Sequence, residues 1–319
     1  MATGLIQALL LDGAGSGRPL ATWDEVVAWH PNDGVLWLNL DYSIDDVAAW
    51  LRERSQIDPL VLAALVDPDP RPRAVAHGED LLMIVRAINL NQGAEPEDMI
   101  SVRCFIEPRR IVTLRHRLSR SLEALERELL AGTGPAGAGD FTARFVERTL
   151  DLVVTRVDVL GDEIAGCEDQ VLDRQHGADM RARLADHRRR AIQLRRFLAP
   201  QREALGKLAT ISLPWLDAMQ RARMVEAADR MTRTVEELDA ARDRAAVTQE
   251  ELASRVGEVT NQRLYFLSLV TAIFLPLGFV CSLLAVPMAH DSWPFWTLII
   301  AFGAGVLAQL WLFKKRGWM

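Results

Sequence analysis

The longest uncharged stretch of the chain, Leu264 to Ala289, reads LYFLSLVTAIFLPLGFVCSLLAVPMA and decides the fold. After His290 and Asp291, a second uncharged stretch runs from Ser292 to Phe313. Each stretch exceeds the roughly 20 residues that an α-helix needs to cross the hydrocarbon core of a bilayer. The sequence therefore predicts a transmembrane hairpin, with helices over 264–289 and 292–313 and an external loop at 290–291.

The basic end of the chain predicts how this hairpin is oriented. Lys314, Lys315 and Arg316 follow the second stretch directly, and such residues stay on the cytoplasmic side of a membrane. Two crossings return the chain to the side from which it started. Both termini are therefore predicted to be cytoplasmic, with 314–319 as a basic tail.

Composition narrows the possible partners. The net charge is -6 over 319 residues although the tail is basic, so the part before the tail is more acidic still. This balance argues against nucleic acid and favours cations as partners. Cys104, Cys167 and Cys281 lie far apart, which disfavours a disulfide framework or a zinc-finger spacing. The sequence shows no arrangement of nucleophile and base, so an enzyme is not expected.

The first part of the chain, 1–139, predicts a cytosolic α/β domain, a mixed sheet with helices. Short β-rich or apolar runs alternate there with segments of helical spacing, and a glycine-rich segment at 132–139 ends this region. Strands are predicted at Leu5–Leu11, Gly34–Leu40, Leu81–Ile88, Ile100–Glu107 and Arg110–Leu114, and helices at Trp23–Trp29, Ile44–Arg54 and Leu118–Leu130.

The next region, 140–263, predicts long stalk helices. One runs from Phe141 to about Gln175, one from about Ala178 to Lys207, and one from Trp215 through the first membrane stretch to Val286. Mostly apolar residues in the third helix recur at alternating spacings of four and three, with an interruption at Arg242, a pattern typical of a face that packs against other helices. These residues are Met224, Ala228, Met231, Val235 and Leu238 and, after the interruption, Ala245, Gln249, Leu252, Val256 and Val259.

The same spacing continues into the first membrane stretch as a stripe of mostly small or polar residues. Small residues allow close packing of helices in lipid, whereas polar groups can line a wet passage, and the stripe alone favours neither interpretation. Two helices about 10 Å wide cannot enclose a water-filled hole, so a pore would need several copies of the chain. The stripe consists of Asn261, Leu264, Ser268, Thr271, Leu275, Gly278, Ser282 and Ala285.

The hairpin resembles the C-terminus of the CorA superfamily of divalent-cation transporters, and its ZntB zinc-transporter branch in particular. The resemblance rests on 264–277, on the ending Lys314-Lys315-Arg316-Gly317-Trp318 and on four segments upstream. It implies a bacterial inner-membrane homopentamer with a cytosolic α/β funnel, a long stalk helix that becomes the pore-lining first membrane helix, and a peripheral second helix. The ZntB-like branch implies zinc transport coupled to protons. The upstream segments are 36–42, 86–91, 96–99 and 194–202.

One departure from the family concerns the outer end of the first membrane helix. The family carries Gly-Met-Asn or Gly-Val-Asn there, and its asparagine carboxamides meet the hydrated cation, but this chain has Ala285, Val286 and Pro287. Pro287 offers neither a carboxamide nor an N–H donor. Asn261, in contrast, matches a pore-lining asparagine of the family at the cytoplasmic end, while Gly278 replaces its usual threonine.

Two further groups are candidate cation ligands. Repeated around a ring, His290 and Asp291 would offer imidazole and carboxylate ligands suited to zinc, although such residues are also ordinary in an exposed turn. Asp173, His176 and Asp179 either cap neighbouring helices or bind a regulatory cation. A glycine-rich segment at 13–17 predicts a surface turn rather than a phosphate loop, since it lacks the Gly-Lys-Ser/Thr ending. No cofactor is expected besides the transported cation.

Two functions follow as hypotheses. In the first, a homopentamer conducts divalent cations, zinc rather than magnesium, along the stripe, with Leu264 and Leu275 as apolar constrictions. In the second, the chain is a non-conducting, membrane-anchored sensor or scaffold of the same fold, as the lost signature at 285–287 would allow.

Overall fold

The computed structural model of the chain describes residues 4–172, 178–284 and 293–315. Its residues group into two compact units, 1–249 and 250–319. The first unit holds a seven-stranded sheet with helices on both faces, as the sequence predicted. The second holds the apolar helices.

The sheet is mixed, with strand order β2-β1-β3-β7-β6-β5-β4. Only β3 and β7 are parallel neighbours, and every other neighbouring pair is antiparallel. Strands β3, β5, β6 and β7 are buried on both faces, which is why they appear in the sequence as mostly apolar runs without strict alternation. The bounds are β1 Leu5–Leu11, β2 Gly17–Pro19, β3 Val35–Asp41, β4 Arg73–His77, β5 Asp80–Ala87, β6 Ile100–Ile106 and β7 Arg110–Arg115.

Each face of the sheet has its own core. One core joins alternate strand residues such as Leu36, Leu38 and Leu40 to the three short helices. The other joins Val35, Trp37 and their neighbours to the long helices. The short helices are α1 Trp23–Ala28, α2 Asp45–Glu53 and α3 Pro59–Leu65, and the others are α4 Arg120–Leu130, α5 Ala138–Leu172, α6 Ala178–Thr210, α7 Ala218–Leu284 and, in the second unit, α8 Trp293–Lys315.

Trp37 ties the centre of the sheet to α5. Its indole Nε1 donates a hydrogen bond of 3.0 Å to Thr113 Oγ1 on the neighbouring strand. Its ring meets Phe141 edge-on, with the centroids 4.9 Å apart. Thr113 is fully buried, and its hydroxyl donates in turn to Leu38 O at 3.2 Å. The N–H group of the buried indole therefore has this threonine hydroxyl as its hydrogen-bond acceptor.

The first part of α7 packs against other helices of the first unit, which confirms the predicted face from Met224 to Ala245, whereas Val256 and Val259 of that face are exposed. Met224, Met231, Val235 and Leu238 are buried there, and burial continues to Leu252. From Val256 onward the same face is exposed.

Ion pairs reinforce this helix contact. Arg223 of α7 donates to Glu147 Oε2 at 2.6 Å and to Asp140 Oδ1 at 2.7 Å, both on α5. Burial raises the pKa of Asp140, but hydrogen bonds from Arg223 and Arg144 outweigh burial, so the pKa is lowered overall. The carboxylate is therefore held in its charged, paired form.

Some elements differ from the predicted ones. The sequence missed β2, β4 and α3, because each is short and lacks a clear period. α7 begins at Ala218, not Trp215, since Asp217 Oδ1 accepts from Gln220 N at 2.7 Å as an N-cap. The predicted turn at 13–17 is confirmed: Asp12 Oδ1 accepts from Ala14 N, and Gly13 and Gly15 have positive φ. The predicted ends at Gln175 and Val286 lie outside the described residues.

We expect Thr113→Val to lower the free energy of unfolding by about 1–3 kcal/mol, because it leaves the buried Trp37 N–H without an acceptor. Denaturant unfolding of the full chain in detergent, followed by tryptophan fluorescence, measures the change. Thr155→Val is the matched control, since the Thr155 hydroxyl is exposed and bonds only within its own helix. Equal losses in the two variants would contradict this role for Thr113.

Candidate functional site

The candidate site is the apolar end of α7. Among the residues that the structure describes, α7 is the one helix long and apolar enough to cross a bilayer. The second predicted crossing is also helical, but its described apolar part, Ile299–Ala308, is shorter. The predicted external loop at 290–291 lies outside the described residues.

The predicted stripe lies on one side of this part of α7. Its residues recur every three or four positions, so they share one helix face. Each of the seven described members is exposed; the leucines Leu264 and Leu275 expose 56% and 71% of their surface. The stripe is therefore largely exposed within a single chain, as are apolar residues beside it such as Phe266 and Phe274, which expose 67% and 64% of their surface. The seven are Asn261, Leu264, Ser268, Thr271, Leu275, Gly278 and Ser282.

A different face of α7 meets α8. The rings of Phe279 and Phe302 lie 5.3 Å apart and join the two helices. Partly buried residues mark the packed faces: Leu269, Val270, Ala272, Pro276 and Val280 on α7, and Ile299, Phe302 and Val306 on α8. At 3.6 residues a turn, the stripe is centred roughly 120° around α7 from its packed face. The small residues of the stripe are thus not used for packing against the chain's own second helix.

The chemistry of the stripe is that of neutral oxygen groups. The Thr271 hydroxyl donates to Leu267 O at 2.9 Å, so its proton is satisfied within the helix while its lone pairs remain available. From Asn261 to Ser282 the stripe has no ionisable side chain. Such a surface can accept hydrogen bonds from the water around a cation, but it does not hold a dehydrated metal by charge.

No metal cluster appears in the described part of the chain: it contains no group of three or more His, Cys, Asp or Glu side chains placed to hold an ion. Cys104 and Cys167 are buried, and burial raises the pKa of both thiols, which disfavours the thiolate that a metal needs. Asp179 lies in the first turn of α6, but Asp173 and His176 lie outside the described residues.

Other predicted positions also fall outside the part that the structure describes. They are the signature-equivalent residues Ala285, Val286 and Pro287 and the candidate ligands His290 and Asp291. Their roles stay predictions.

Tryptophans on α8 are a membrane feature that the sequence reasoning missed. Trp293, Trp296 and Trp311 expose 80%, 57% and 59% of their surface. Trp293 and Trp311 stand roughly 27 Å apart along the helix, close to the thickness of a bilayer's hydrocarbon core. Tryptophan gathers at the two membrane interfaces, so this spacing was a readable signal for the second crossing.

Comparison with known proteins identifies the family. A family model described as CorA-like Mg2+ transporter protein matches residues 32–315. The chain belongs to this CorA-like family. The resemblance found in the hairpin and in the upstream segments is thereby confirmed.

Two relatives of the CorA-like chain cover nearly its whole length. The divalent cation transporter CmaX of Pseudomonas aeruginosa is 33% identical over 99% of this chain and 97% of its own. The zinc transport protein ZntB of Yersinia enterocolitica is 32% identical over 97% of this chain and 94% of its own. The solved structure of full-length CmaX matches with a TM-score of 0.89 at 31% identity, covering 99% of this chain and 98% of that one. The predicted CorA-type fold class is confirmed.

We expect a cysteine at Ser268 to react faster with a water-soluble, membrane-impermeant maleimide than a cysteine at Leu269, because Ser268 lies on the exposed stripe and Leu269 on the packed face of the helix. Both variants are made with Cys281→Ala, since Cys281 lies in the same helix; Cys104 and Cys167 are buried. Labelling rates in reconstituted vesicles give the comparison. Equal rates, or no reaction at Ser268→Cys, would show that the stripe does not face water.

Proposed function

We propose that this CorA-like chain moves divalent cations across the inner membrane of a bacterium, zinc in preference to magnesium, through a pore made by several copies. The observation that carries the proposal is the exposed polar stripe of α7, centred roughly 120° from the face packed on α8. A polar face of a membrane helix needs either water or another protein surface beside it. Relatives named as a divalent cation transporter and as a zinc transport protein support the choice of cargo.

The pore is proposed to be a homopentamer with α7 inside and α8 outside. One hairpin cannot enclose a channel, since two helices about 10 Å wide leave no hole between them. A ring of copies places five stripes around one axis and leaves α8, with its exposed tryptophans, toward lipid. The number five rests on the family resemblance alone.

Permeation is proposed to keep the cation hydrated. Asn261 meets the ion at the cytoplasmic end, and the hydroxyls of Ser268, Thr271 and Ser282 accept hydrogen bonds from its water shell. Rings of Leu264 and Leu275 form apolar constrictions, which close when water leaves them and open when the ring widens. The acidic part before the tail raises the local concentration of cations.

The preference for zinc is assigned to the outer mouth. A ring of His290 and Asp291 offers nitrogen and oxygen ligands, and imidazole suits zinc better than magnesium. These residues take the place of the signature asparagine, whose position holds Pro287 here.

A second candidate, a non-conducting sensor or scaffold, is favoured by that same Pro287. Ion flux into proteoliposomes holding a zinc-sensitive or a magnesium-sensitive dye separates the two functions. Transport predicts a zinc-dependent signal above that of empty vesicles, and a smaller one with magnesium. If correctly assembled protein gives the same dye signal as empty vesicles, the transport function is excluded and the scaffold function is favoured.

We expect Thr271→Leu to cut zinc flux about tenfold or more, because leucine makes the narrow part of the pore apolar and raises the barrier for a hydrated cation. An added barrier of about 1.4 kcal/mol is enough for a tenfold decrease. Val270→Leu is the matched control, since it also introduces leucine but on another face of the helix. Flux is measured in proteoliposomes after size-exclusion chromatography has shown equal assembly. Unchanged flux in Thr271→Leu would place the stripe against other helices.

We expect the double variant His290→Ala with Asp291→Asn to lose the preference for zinc over magnesium, because the ring of nitrogen and carboxylate ligands is removed. The ratio of the two fluxes in the same vesicles measures it. Ser292→Ala, next to the pair, serves as the control. If the double variant keeps the wild-type ratio, selectivity is set elsewhere in the pore.

A further inference from the structure

A cavity of about 310 Å³ opens in the first unit beside the ends of β3 and β7. Parallel strands end there side by side, with Tyr42 directly after one and His116 directly after the other. The crevice beyond the carboxyl ends of parallel strands is where α/β sheets commonly bind ligands. Three arginines line this cavity: Arg86, Arg103 and Arg117.

Arg103 is a fully buried charge that makes no ion pair with a described residue, although the carboxylate of Asp67 acts on it from more than 4 Å away. Its exposed fraction is 0%, and no carboxylate among the described residues lies within 4 Å of its guanidinium. One nitrogen, Nη1, donates to Leu65 O, while Nε and Nη2 have no partner in the described part of the chain. The guanidinium stacks on the Tyr42 ring at 4.0 Å. A buried charge that lacks a partner is costly, so this arrangement calls for an anion.

The position of Arg103 in the sheet explains its burial. It lies opposite Ile84 on one side and Leu114 on the other, both in the core beneath the short helices. Burial lowers the pKa of its guanidinium, yet arginine stays charged in proteins. The sheet therefore holds a fixed positive charge at the edge of an apolar core.

Two more donors converge on the same place. Ser101 lies two residues before Arg103 on the same face of β6, and Arg86 is paired with Ser101 in the register. Ser101 Oγ and Arg86 Nε are both buried without a partner in the described chain. Arg86 Nη2 is occupied, donating to Asp69 Oδ1 at 3.0 Å and to Pro70 O at 2.9 Å. Four unpartnered polar atoms thus belong to three buried or partly buried side chains that line one cavity.

The charge at the cavity is positive. Arg117 stands exposed at its rim, and the one carboxylate in the lining, Asp98, is exposed too. His116 is already paired with Asp41, 3.5 Å away. This local excess of guanidinium contrasts with a chain that is acidic overall.

We propose that this cavity binds a phosphate-type oxyanion, through the guanidinium groups of Arg86, Arg103 and Arg117 and the hydroxyl of Ser101. Guanidinium forks match the oxygens of phosphate in geometry and charge. The volume is at the small end for ligand pockets, which suits inorganic phosphate or the phosphate group of a small organic phosphate. The site lies in the first unit and does not depend on the proposed function.

The test is calorimetric titration of the full chain in detergent, in zinc-free chloride buffer at constant ionic strength. Inorganic phosphate is one titrant and adenosine monophosphate the other, which separates free phosphate from an organic phosphate. We expect saturable binding of at least one of them. Absence of binding of both at millimolar concentration would overturn the proposal.

Variants assign any binding to this cavity. Arg117→Gln, at the exposed rim, is expected to weaken binding about tenfold, the loss of one charged hydrogen bond. Arg109→Gln removes the same charge from an exposed position at the opposite end of β6 and is expected to bind as the wild type does. Equal weakening in the two variants would mean general attraction of anions and would overturn the site.

Arg103→Met gives a second, independent readout. We expect it to abolish binding and to raise the unfolding temperature of the anion-free protein, because an uncompensated buried charge is replaced by an apolar group. A lower unfolding temperature with phosphate binding retained would contradict the role of Arg103. If that variant does not fold, Arg117→Gln and its control decide.

Discussion

A polar group in hydrocarbon must be covered, and this constraint links the sequence of α7 to everything proposed for the chain. The helix carries a side of small and hydroxyl residues through a stretch that is otherwise bulky and apolar. The chain's own second helix packs elsewhere, through Phe279 and Phe302. The covering surface must then come from water, from other copies of the chain or from both. A ring of copies around a wet axis supplies both together, which a single hairpin cannot do.

In the first unit, by contrast, several partly buried charges are paired. Arg223 forms ion pairs with two carboxylates across a helix contact, and Arg86 forms an ion pair with Asp69. Arg103 has no carboxylate within 4 Å among the described residues, and the same holds for Arg115, which is 8% exposed. Arg103 stands out because it lines one cavity together with Ser101 and Arg86, whose side chains also carry unpartnered polar atoms, and this makes the cavity a place for an external anion.

Much of the architecture could be predicted because buried strands such as β5 and β6 leave mostly apolar runs, and long helices leave a regular period. The strand β2, with three residues, and the helix α3, with seven, were missed because so few residues do not show a regular period. The stripe on α7 was visible as a spacing, but its orientation relative to α8 required coordinates. Arg103 could not be singled out, because an arginine within a strand looks the same whether its neighbours in the sheet bury it or expose it. The roles of Pro287, His290 and Asp291 remain predictions made from the sequence.

The distance between the outer tryptophans of α8 bears on the lipid that the protein prefers. Because Trp293 and Trp311 lie roughly 27 Å apart along the helix axis, the span between them is slightly shorter than an average hydrocarbon core of about 30 Å. A helix in that position either thins the surrounding bilayer or gathers with its neighbours to reduce the mismatch. Acyl-chain length thus becomes a variable of assembly, and thinner membranes should favour the associated state less strongly than thick ones.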